Sequence, residues 1–235
     1  MRNRGPILLR TDTCVFKPRL ETPEGEVDGV MWMKGHVAVI EVTSSSLREA
    51  DGTSADWEVL RDGLRRAFVE NPGSGKKPPY KEAVLQLVRD VRLILNRIIA
   101  DAVPIQNLHR VYPVMISTDR RTRTPGVIRF LQDEFASRLD PKERQMVAGL
   151  AVLGLEDLET LETLVQTRKE LQKTPRGPLK VLRRWDIDRG EAPSWWQFID
   201  VIYGPVPANV ELKNEFNKFR ESVPDYFATG SAETK

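Results

Sequence analysis

The chain has 235 residues, of which 40% are hydrophobic and 30% charged, and its net charge is only +2. It can therefore bury a sizeable core, and it is neither a collagenous or disordered polymer nor a protein whose global field demands an acidic partner. One cysteine, Cys14, excludes an intrachain disulfide scaffold; the apolar stretch Ile7–Leu9 is too short for a signal peptide, and no run approaches the ~20 residues of a membrane span, so the expectation is a cytoplasmic protein with no membrane partner.

In chain order, "CVFKPRLE" reads as an edge strand, because Pro18 cannot donate to a ladder. "TPEGE" is a turn. "DGVMWM" and "HVAVIEVT" flank Lys34-Gly35, and two β-rich runs around a two-residue break predict a hairpin. A helix is expected from Asp56 to Phe68, with Asp56 as its cap, followed by the Gly/Pro/Ser-rich loop "NPGSGKKPP". From Tyr80 to Ala100, Val84, Leu87, Val88, Val91, Leu95 and Ile98 recur at helical spacing. "RVYPVMIST" is a strand. "TPGVIRFLQDEFASRL" is a helix with Thr124 as cap and Pro125 at its first position. "QMVAGLAVLGL" is a further strand, and "EDLETLETLVQTRKELQK" a helix turning Leu158, Leu161, Leu164 and Val165 inward. "PLKVLRRW" and "SWWQFIDVIY" are helix-like, and "NVELKNEFNKF" is a charged tail segment.

Strands separated by helices place the chain in the α/β class, with a central mixed sheet flanked by helices. The expected organisation is an α/β domain over residues 1–175 and a helical, aromatic extension over 176–235 packed on it.

If Lys34-Gly35 is the hairpin loop, Met33 pairs with His36, and continuing the register sets Asp28 opposite Glu41. Glu41 and Thr43 then share a face with Val30 and Trp32. Two acids facing each other destabilise a sheet unless something compensates. A divalent cation is one compensation, since Mg²⁺ is commonly held by one or two carboxylates plus phosphate oxygens and water; a bound Arg or Lys is another. A turn-capping Asp28 and a solvated Glu41 are the structural alternative.

The stretch "VDGVMWMKGHVAVIEVTSS" resembles the core of the PD-(D/E)XK nuclease superfamily, in which an acid, a β-turn-β unit and a second acid form the metal site. The resemblance runs over roughly residues 26–135 and implies a restriction-endonuclease-like fold. It extends to "YKEAVLQLVRDVRLIL", similar to the following helix with its site-facing glutamine, and to "VYPVMISTD" with "TPGVIRFLQDEF". By that likeness Asp28 and Glu41 would be ligands of Mg²⁺ or Mn²⁺, Val42 would offer a backbone carbonyl, and Gln86 would orient the site. Thr43 stands where the family usually has lysine; Lys81 or Lys77 from the following segment would be the substitute, and Glu82, one turn before Gln86, a further site residue. The implied function is a metal-dependent nuclease-like protein acting on phosphodiesters, with DNA favoured over RNA. The alternative is a catalytically inactive nuclease-fold module binding nucleic acid or a protein partner, as in a defence or mobile-element system. The short stretch before the hairpin also raises the expectation of either a longer parent chain or a reduced version of the domain.

Basic residues in loops suggest backbone contacts: Lys76 and Lys77 in the Gly-rich loop, and Arg120, Arg121 and Arg123 after the "VMIST" strand. A P-loop is excluded, because Glu70 stands where the Walker pattern needs its first glycine. Trp185, Trp195 and Trp196 beside Arg183, Arg184 and Arg189 would stack bases, or else close a core or dock a partner. His36 and His109 are not in zinc-ligand spacing.

Overall fold

A computed structural model of the chain describes residues 15–33, 35–71, 73, 80–98, 107–168, 171, 177–188, 194–206 and 214, with only the backbone of Lys81, Gly177 and Asp188. The fold is α/β. Its centre is a five-stranded mixed sheet built from β1 (Val15–Thr22), β2 (Gly25–Met33), β3 (His36–Thr43), β6 (Arg110–Ser117) and β7 (Ala151–Gly154), lying in that spatial order. The first three strands form an antiparallel meander; β6 and β7 join in parallel to β3. The two parallel additions need helical crossovers, which the chain supplies as α3 (Ala83–Leu95) before β6 and α4 (Pro125–Ser137) before β7.

The β2–β3 register is the one that a two-residue loop dictates: Met33 faces His36, and Gly29 faces Ile40. Gly35 has φ +81°, and a Cβ there would sit 1.9 Å from the Asn107 carbonyl oxygen, so the loop admits glycine alone. As expected, β1 is the edge strand that tolerates Pro18.

Both faces of the sheet are covered. On one, Val30, Val37, Val39, Val111 and Met115 pack against Leu87 and Val91 of α3, Leu131 and Phe135 of α4, and Leu64 of α2 (Trp57–Leu64). On the other, Met31, Ala38, Tyr112, Ile116 and Leu153 meet Leu161 and Leu164 of α6 (Leu155–Thr167). α7 (Gly177–Asp188) and α8 (Trp195–Tyr203) add Trp185, Trp195 and Phe198 to that second core. Trp185 and Trp195 are buried against each other, edge to face, so they close the core and are not available to stack bases; Trp196 is exposed. Each large apolar side chain taken from water contributes ~1.5–3 kcal/mol.

Three elements differ from their sequence expectation, each for a local reason. The helix expected from Tyr80 starts at Ala83, because Tyr80–Lys81 pairs as β5 with Glu70–Asn71 (β4). It ends at Leu95, beyond which Arg97 takes a left-handed φ of +56°, and Ile98 is 48% exposed instead of inward. The strand expected from Gln145 begins only at Ala151. Asp140 and Glu143 form a capping box that starts α5 (Pro141–Met146), which takes Gln145 and Met146 into a helix. The predicted 56–68 helix closes with a π-helical turn, Arg65–Val69, and its cap is as expected, with Asp56 accepting from the Glu58 amide.

Candidate metal centre

Glu41 and Thr43 point inward from β3 toward α3, and both are buried; Glu41 is 5% exposed. The β2–β3 ladder stops at Gly29–Ile40, one step short of Asp28 and Glu41. There the strands separate, and the Asp28 carboxylate fills the gap, its Oδ2 accepting from the Val42 amide at 2.8 Å. Val27 and Val30 both enter the same core although three apart, so strict alternation breaks at Asp28-Gly29. That break lets an acid leave the core face and bond to the neighbouring backbone.

Glu82, at the N-cap of α3, lines up with Gln86 and Asp90 of the helix at successive turns, with Glu82 and Asp90 buried and Gln86 half-buried. At one end of the row Glu82 Oε2 accepts from the Ser45 hydroxyl at 3.2 Å. At the other end Asp90 is fully buried beside the Glu41–Asp28 pair. Arg89 holds this end together. Its Nε donates to Asp90 Oδ1 at 2.7 Å, while its Nη groups donate to the carbonyls of Glu24 at 3.3 Å and Glu26 at 2.7 Å. The turn that feeds β2 is thereby clamped to α3. A Cβ on Gly25, whose φ is +128°, would stand 2.7 Å from Arg89 Nη1.

Three carboxylates against one guanidinium leave the centre acid-rich. Burial raises Glu41 to about 8; the charges of Asp28 and Asp90 add to the rise, and Arg89 opposes it. Burial likewise raises Asp90 to about 6, with Arg89 opposing through charge and hydrogen bond. Glu82 is raised by burial, against hydrogen bonds from Ser45 and Tyr80. Among the described residues Glu41 Oε2 and Asp90 Oδ2 are buried without a hydrogen-bond partner. Orphaned carboxylate oxygens in a dry site are costly, and they are what a cation or a proton satisfies. Among the described residues no group of three His, Cys, Asp or Glu has cation-holding spacing. A cation here would take two carboxylates and fill its shell with water, backbone oxygen or phosphate, which suits Mg²⁺.

The remaining sequence candidates fall as follows. Thr43 lies two residues beyond Glu41 on the same face, its hydroxyl accepting from the Ser45 amide at 3.1 Å. Val42 faces the other way, half exposed, and its amide anchors Asp28. Gln86 sits between Glu82 and Asp90. Lys76, Lys77, the Lys81 side chain, Cys14 and, apart from residue 214, the charged segment 209–219 lie outside the described residues. Arg121 is committed internally: it chelates Asp119 and donates to the Leu47 carbonyl, and Asp119 also accepts from the Leu47 amide, which ties the segment after β3 to the loop after β6. Arg123 bonds Glu156 and Asp157, and the exposed Arg120 pairs with Glu156. His36 meets the Tyr112 hydroxyl at 3.2 Å.

Asp90 and Arg89 are the members that sequence reasoning passed over. The signal was present: an acid between Val88 and Val91, one turn after Gln86, lies on the apolar face of its helix. Comparison of the chain with protein-family models, with curated proteins and with solved structures gave no match.

Proposed function

We propose that this is a metal-dependent, nuclease-like protein acting on DNA phosphodiester bonds, with a PD-(D/E)XK, restriction-endonuclease-like arrangement of its core. The observation that carries the reading is the buried, orphaned Glu41 Oε2 beside the Asp28 carboxylate at the point where a tight hairpin opens. The β2–β3 hairpin, crossover helix α3, parallel strand β6 and helix α4 support it by agreeing with the order the resemblance implies.

Asp28 and Glu41 would hold Mg²⁺ or Mn²⁺. Such an ion, when bound, polarises the scissile phosphate and makes hydroxide available near neutral pH. The chain's own residues do the rest. The Val42 amide fixes the Asp28 carboxylate, Arg89 fixes Asp90, and the apolar packing under β3 keeps water from Glu41. Arg89 lowers the charge cost of Glu41 from a distance, while Thr43 stands where the family usually has lysine.

A second reading is favoured by Thr43: a catalytically silent module of the same fold that keeps the cleft and binds nucleic acid or a protein partner. The test is Mn²⁺-dependent cleavage of single- and double-stranded DNA by the parent and by Glu41→Ala. Cleavage lost in the variant supports the nuclease. Equal cleavage in both removes Glu41 from the mechanism, and no cleavage with retained binding supports the silent module.

A further inference from the structure

A cleft of about 680 Å³ opens at the Glu82 end of the acidic row, beyond the carboxyl end of β3. Ser45, Ser46, Arg48, Arg66, Asn71 and Tyr80 line it together with Glu82. The carboxyl ends of parallel strands are the usual place for a binding crevice, and this volume falls in the range of small-ligand pockets.

The wall chemistry is specific. Tyr80 is 49% exposed, yet its hydroxyl accepts from Asn71 Nδ2 at 2.9 Å. The ring is pinned at its tip while much of its surface remains open to a planar ligand. Arg66 is neutralised by Asp51 at 3.0 Å. Arg48 is exposed and makes no ion pair among the described residues, so its charge is available at the rim. Ser46, the Asn71 amide and the carboxylate of Glu82 offer polar edges. A pinned aromatic face, a rim arginine and a polar floor match one unpaired base with its phosphate better than a stacked duplex, whose bases are not exposed. From Glu41 to Ser45 along the chain, and from Asp90 to Glu82 along α3, the separation is roughly 12 Å, which a short run of nucleotides covers.

We propose that this cleft binds an unpaired nucleotide of a single-stranded segment, with the base on Tyr80 and the phosphate at Arg48. The inference rests on the nuclease-like reading for its purpose, but its test does not. Fluorescence anisotropy of the full chain in EDTA, with a labelled oligodeoxythymidine and a blunt duplex of equal length, reads binding without cleavage. The single strand should bind more tightly than the duplex. Tyr80→Ala should weaken single-strand binding ~5- to 100-fold, Tyr80→Phe should leave it near the parent value, and Arg48→Ala should weaken it and reduce the salt slope by about 1. Single-strand affinity unchanged in both Tyr80→Ala and Arg48→Ala, or a duplex bound as tightly as the single strand, overturns the proposal. Circular dichroism checks the fold, and the exposed Arg48 carries the test if Tyr80→Ala does not fold. A parent that binds through Tyr80 and cleaves nothing upholds the cleft while removing the nuclease. A parent that cleaves through Glu41 but binds independently of Tyr80 and Arg48 does the reverse.

Discussion

Replacing Glu41 by glutamine keeps the shape of the side chain and removes its titration. In the fold Glu41 holds its proton up to about 8, against an ordinary value of 4.5. Below 4.5 both folded and unfolded chains are protonated, and the shift has no effect. Between 4.5 and 8 the unfolded chain releases a proton that the folded chain keeps, so native stability falls as pH rises, then levels off above 8. At pH 7 the loss attributable to Glu41 is about 3 kcal/mol, from 1.36 kcal/mol per pH unit over that interval. Glu41→Gln should therefore match the parent near pH 4.5 and exceed it by ~3 kcal/mol at pH 7 and ~4 kcal/mol at pH 8, a large part of a typical folding free energy. Urea unfolding followed by circular dichroism, at pH 4.5, 6, 7 and 8 in EDTA, gives the difference directly. Mn²⁺ supplies the second arm: an ion binding only the folded parent at 100 times its Kd adds ~2.7 kcal/mol and should add nothing to the variant. Parallel pH profiles for the two proteins would refute the burial of Glu41, and equal stabilisation of both by Mn²⁺ would refute its role as ligand.

Arg89→Ala strands the fully buried Asp90 carboxylate and leaves the Glu24 and Glu26 carbonyls without their donor. The expected cost is ~3–5 kcal/mol, seen as a lower urea midpoint, and Arg89→Lys should recover only part of it because a point charge cannot span three acceptors in a fork. Gly35→Ala would drive a Cβ into the Asn107 carbonyl at a positive φ, so loss of several kcal/mol, or no folded protein, is expected in a thermal melt; a melting temperature near that of the parent would contradict the loop geometry.

Local rules account for much of what was legible in the chain. Loop length fixes hairpin register, so the Met33–His36 to Gly29–Ile40 pairs were legible, whereas the expected Asp28–Glu41 pair is not formed because the ladder stops one step short of it. Helical spacing identified the core face of α3, and Thr124-Pro125 the start of α4. Residues whose role depends on distant partners were not legible. Nothing near Arg89 in sequence says that its acceptors are the carbonyls of Glu24 and Glu26. The three loop arginines carry the composition of a phosphate contact, and only folding commits Arg121 to Asp119 and Leu47, and Arg123 to Glu156 and Asp157.

The sequence by itself determined the class, the hairpin and the candidate acid pair, because strand period, turn length and helix period act over a few residues. Tertiary structure alone decided that Asp28 leaves the ladder to bind the Val42 amide, that Asp90 joins the pair across the sheet–helix interface, and that a polar cleft opens beside Glu82. Those are consequences of burial and of contacts between segments far apart in the chain, where desolvation and charge act through space rather than along the sequence.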